Sequence, residues 1–135
     1  MIVSLKLAMQ DAWITTDTYS LEDDGVNCAA SISCNTLPMR NKKLMVNRST
    51  GDVLQSKLEE LDIPAWAPRY NLSPDIYVLD GYSWKLDVIT ADALTYHSEG
   101  KNAEPEQLEQ LVSLLREALG MDLAPTQHPA ATNTR

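Results

Sequence analysis

Nucleophilic catalysis needs a Ser, Cys or Thr beside a base, and this chain offers few bases: His97, in a predicted strand or at its end, and His128, in the C-terminal stretch. Neither sits in a recognisable motif, and a lone strand histidine is more often structural or merely exposed. Cys28 and Cys34 lie six residues apart in a segment that reads as extended. That spacing separates them by about 20 Å along a strand, well outside disulfide reach. They would share one strand face as small apolar core residues, in a reducing compartment. Structural zinc draws four Cys or His ligands at short spacings, a pattern missing here, so no metal or other cofactor is expected.

Glu22, Asp23 and Asp24 could attract a cation, but they lack the alternating ligands and terminal glutamate of an EF-hand loop. They read as a solvated turn. With nineteen acidic residues in the chain some pairing of carboxylates is inevitable, so an acid/base pair is an uninformative signal. The five glycines, at 25, 51, 81, 100 and 120, are isolated turn and cap punctuation, and no phosphate-cradling loop exists. What remains for catalysis is a small enzyme using carboxylates or His97 in a cleft. The leading expectation is that the chain is not an enzyme.

The elements that must position these groups are legible in part. Val3, Leu5, Leu7 and Met9 alternate with Ser4, Lys6, Ala8 and Gln10 as in a half-buried strand. A second extended run spans about 12–20, Glu22–Gly25 follows as a turn, and Val26, Cys28, Ala30 and Ile32 alternate again, giving a hairpin. Leu44, Met45 and Val46 make a short strand flanked by Arg40, Lys42, Lys43 and Arg48, a small positive patch. Ser49 is positioned to cap a helix through Val53, Leu54, Leu58 and Leu61, which Pro64 stops.

Residues 63–71 hold two prolines with Trp66 and Tyr70, and read as an ordered loop held by ring burial. Trp and Tyr also dominate interface hot spots, which makes Trp66 and Tyr70 candidate partner contacts. Ile76–Leu79 leads into Asp80-Gly81, a two-residue hairpin signal. Tyr82, Trp84, Leu86 and Val88 alternate after it, and a further strand carries Leu94 and Tyr96. Pro105 and the acids Glu104, Glu106 and Glu109 open a final helix that Gly120 closes. Its Leu108, Leu111, Val112, Leu115 and Leu119 form one apolar stripe, and its exposed face is glutamate-rich.

The expected architecture is α+β: an antiparallel sheet of six or seven strands with two helices, the C-terminal one packed on the sheet. Residues 1–120 would form one domain and 121–135 a tail with little structure of its own. A 44% hydrophobic and 22% charged composition over 135 residues suits one ordinary core. No apolar run approaches the roughly 20 residues of a bilayer span, nothing reads as a signal peptide, and a cytoplasmic location is expected. Residues 1–50 hold five basic and five acidic side chains and 51–135 six against fourteen, so the whole net charge of −8 lies in the second part. Such a field repels nucleic acid and anionic membranes and speeds encounter with a basic protein, although charge kept for solubility has the same composition.

Residues 61–119 carry a pattern of helix, aromatic loop (Trp66, Tyr70), Asp80-Gly81-Tyr82-Ser83-Trp84 hairpin and Gly100-Lys101-Asn102-Ala103-Glu104-Pro105 before a helix. This resembles small bacterial immunity-type proteins, which bind and neutralise a toxin. The resemblance implies a fold and a broad role, with a cognate protein toxin as partner, and transfers no toxin-contact residues. The contact surface expected from the residues is Glu22, Asp23 and Asp24 with Trp66 and Tyr70. A secretion adaptor or chaperone-type interaction module would use the same sequence equally well.

Overall fold

The computed structural model describes residues 1–10, 16–34, 40–71 and 82–121. Seven strands form one sheet: β1 (Ile2–Gln10), β2 (Thr16–Asp23), β3 (Cys28–Cys34), β4 (Arg40–Val46), β5 (Arg69–Asn71), β6 (Ser83–Thr90) and β7 (Thr95–Lys101). Their order is β4-β3-β2-β1-β6-β7-β5, antiparallel throughout except that β5 runs parallel to β7. Two helices, α1 (Arg48–Glu60) and α2 (Gln107–Ala118), cover one face. The α+β architecture, the strand number and the packing of the C-terminal helix agree with the sequence. Asp80-Gly81, Ile76–Leu79, the start of the 12–20 run and the tail beyond Met121 lie outside the described residues.

Alternation sets the two faces of the sheet. Leu5, Leu7, Tyr19, Leu21, Cys28, Ala30, Ile32, Trp84, Leu86 and Val88 point towards the helices and are buried. Leu54, Leu58, Leu108, Leu111, Val112 and Leu115 meet them from the helical side. The opposite face bears Lys6, Thr18, Ser20, Glu22, Ser31, Lys85, Asp87 and His97, in rows fixed by the register. Cys28 and Cys34 are free and buried at the two ends of β3.

Several boundaries differ from the sequence reading. Glu22 and Asp23 belong to β2, and the turn comprises Asp24 to Asn27. Asn47 caps α1, its carboxamide oxygen accepting from the Thr50 N–H at 2.8 Å, while Ser49 donates its hydroxyl to that same oxygen. Two residues of sequence earlier, Asn47 has the extended backbone a cap requires. The 63–71 loop contains a 3-10 turn at Ile63–Ala65 and the three residues of β5. Leu94 lies in the β6–β7 turn, and β7 extends to Lys101. At the end of α2, Gly120 is left-handed (φ 68°), with its N–H on Glu117 and that of Met121 on Arg116, the paired bonds of a Schellman cap.

Candidate partner-binding surfaces

Trp84 is the centre of an interlocked cluster that brings together Trp66, Tyr70, Tyr82, Gly100, Asn102, Ala103 and Glu104 of the 61–119 pattern, while Asp80-Gly81 lies outside the described residues. Its indole N–H donates to the Ala103 carbonyl at 2.8 Å. Trp66 meets it edge-on at 6.3 Å between centroids, and Tyr70 lies tilted beside it at 5.9 Å. Gly100 stands directly under the ring: an added Cβ would come within 2.3 Å of the Ala103 oxygen and 2.4 Å of the Trp84 nitrogen. Asn102 takes a left-handed backbone (φ 57°), exchanges backbone contact with Tyr82 and accepts the Tyr82 N–H on its side-chain oxygen. The Tyr82 hydroxyl donates to Glu104. Burial, then that carboxylate, pushes the Tyr82 phenol well above its ordinary value. Trp66 and Tyr70 are thus half-buried supports of the cluster; Trp66 donates to the Leu61 carbonyl, and the Tyr70 oxygen accepts the Ala67 N–H.

The three acids at the first hairpin part company. Glu22 is exposed on the open sheet face and Asp24 is exposed in the turn, where its carboxylate accepts from the Val26 and Asn27 N–H groups and is held below its usual range by them. Glu22 and Asp24 border a shallow hollow of about 430 Å³ with Ser4 and Asn27. Asp23, one residue between them on a strand, faces inward and is 2% exposed. Arg48 grips it with two bonds of 2.8 Å, and the Gly25 N–H and the Gln55 amide also donate to it. The Arg48 guanidinium is the main cause that holds the Asp23 carboxyl far below the usual range. Its partner is 25 positions away in sequence, which is why a local reading takes it for a solvated turn acid.

His97 lies on the open face between two carboxylates, Nδ1 2.7 Å from Asp87 and Nε2 2.7 Å from Glu99. Glu99 first and Asp87 second raise its pKa, favouring the imidazolium with both N–H groups donating. A ring so held has no free nitrogen with which to take a proton from a nucleophile. Among the described residues no group of three or more His, Cys, Asp or Glu side chains is arranged to hold a metal ion, and no helix is long and apolar enough to cross a membrane.

A groove between α1 and α2 has no counterpart among the contacts expected from the sequence. It encloses about 620 Å³, with Glu60, Glu106, Glu109 and Lys57 among the residues along it and the half-buried Leu114 supplying apolar surface above the buried Leu61. The signal was the glutamate-rich face of α2, but only the fold sets it beside the acidic end of α1. Residues 48–62 and 104–119, which hold the helices and their ends, carry eight acidic and three basic side chains. The arrangement can hold cationic side chains beside the apolar surface of Leu114. No protein-family model, no curated protein and no solved structure matches this chain.

Proposed function

We propose that this protein is an immunity protein that binds and neutralises a basic toxin domain through its acidic helical layer. The groove between α1 and α2 carries this reading, because its glutamates surround the half-buried Leu114 and so combine the charge and the apolar contact a protein partner needs. Charge of one sign over a broad face accelerates encounter, and desolvated apolar surface slows departure. The engagement of His97 by two carboxylates on the open face and the burial of Asp23 and the cysteines within the fold also favour binding over catalysis. The assignment to toxins rests on the resemblance of residues 61–119. Glu60, Glu106 and Glu109 become the primary contacts, Glu22 and Asp24 a separate acidic contact on the sheet, and Trp66 and Tyr70 supports of the neighbouring loop.

The test is a growth assay with the product of the gene adjacent to this one, expressed alone and together with this chain. Arrest by the neighbour, rescue by this protein and a stable complex on size-exclusion chromatography are the expected results. Arrest without rescue overturns the reading. A complex without arrest assigns the chain to the secretion adaptors or chaperones instead.

A further inference from the structure

The outer edge of β4 is chemically unlike the rest of the molecule. Residues 25–51 contain no Asp or Glu and hold Arg40, Lys42, Lys43 and Arg48, in a chain whose net charge is −8. Arg48 is engaged by Asp23 and Asp52, which leaves the basic character with β4 itself. Among the described residues β4 is hydrogen-bonded to β3 alone and closes that side of the sheet. It is seven residues long, Asn41 to Met45 are exposed, and Met45 keeps 65% of its surface in water. Lys43 and Met45 share the open face, and Lys42 and Leu44 the helical face.

A strand edge presents unpaired N–H and C=O groups to any extended chain of suitable side chains. We propose that β4 receives an extended acidic segment of a second protein as an eighth strand, with carboxylates opposite Lys42 and Lys43 and an apolar residue beside Met45. Charge decides the occupant. In a symmetric antiparallel pairing a second copy of the chain would bring a second set of lysines to the same seam, with Lys42 or Lys43 directly opposite its own copy when the axis passes through it, which disfavours self-pairing. An acidic strand gains at both positions. This site is separate from the acidic groove, and it stands whether or not the toxin reading does.

The experiment uses the full chain and a seven-residue amidated peptide, Thr-Val-Val-Glu-Glu-Thr-Thr, whose adjacent glutamates fall opposite Lys43 and Lys42 and whose valines fall opposite Met45 and Leu44 in antiparallel register. Two controls accompany it: the same peptide with lysine for glutamate, and one N-methylated at alternate backbone nitrogens. Binding is read by fluorescence polarisation and by amide hydrogen exchange. The expected result is protection at residues 40–46 with the acidic peptide, and affinity at least about tenfold lower for each control and for the Lys42→Glu/Lys43→Glu protein. An N-methylated peptide that binds as well shows charge attraction without strand addition and overturns the proposal, as does absence of binding by the acidic peptide. Protection of β4 that rises with protein concentration alone overturns it in favour of a second copy.

Discussion

Replacing Gly100 by alanine places a methyl group where the Ala103 carbonyl and the Trp84 indole already stand. Both neighbours are tied to each other by a hydrogen bond, so neither yields easily. The expected cost is about 2–3 kcal/mol of unfolding free energy, measured by urea denaturation. Loss of the near-ultraviolet dichroism of the aromatic cluster should accompany it. His97 gives the second residue-scale expectation. Its pKa is raised in the folded state, so its contribution to stability is complete below about pH 6.5, the unfolded value. That contribution disappears as pH rises through the folded value. Because the ring is 44% exposed, the effect is that of a surface pair, under about 1 kcal/mol. Titration of the His97 ring protons by NMR checks the direction, and His97→Gln should flatten the stability profile over that interval.

Among the elements, the attachment of α1 to β2 depends on a charge turned inward. Asp23→Ala removes the anchor of Arg48 and an acceptor of Gln55, at an expected cost of about 3 kcal/mol in thermal or urea unfolding. The pH dependence has the opposite sense to that of His97: the folded pKa of Asp23 is depressed, so its stabilisation is present above about pH 4 and lost as pH falls. The variant should therefore show a shallower acid limb. Elements whose apolar period repeats were legible in the sequence, as Leu5 and Leu7 on β1, Trp84, Leu86 and Val88 on β6, and the leucine stripe of α2 with its Gly120 cap show. β5 has three residues and no period to read. On β7 the inward positions beyond Tyr96 are Ser98 and Gly100, which carry no hydrophobic signal. Asp23 looked like its neighbours Glu22 and Asp24 because only the tertiary partner Arg48 distinguishes it. The candidate groove was half legible: the glutamates of α2 were visible, their proximity to Glu60 was not.

Over the whole molecule charge is segregated, with the acidic helical layer distinct from the β4 edge. Glu106→Lys with Glu109→Lys should slow association with a basic protein partner about tenfold at low salt and weaken the dependence of that rate on ionic strength. The melting temperature should fall by only a few degrees, since both side chains are exposed but lysine at the N-terminal turn of α2 opposes the helix dipole. Stopped-flow association over a salt series reads the effect. The two layers are also joined through the first rung of the sheet. The Gln55 side chain accepts the Ile2 N–H at 2.9 Å and donates to the Ile2 carbonyl at 2.7 Å, occupying the place of a neighbouring strand residue with a helical one. The amide proton of Ile2 therefore exchanges with solvent only when α1 lifts from the sheet. In deuterium oxide it should behave as a clock for that opening, keeping time with the amides of α1.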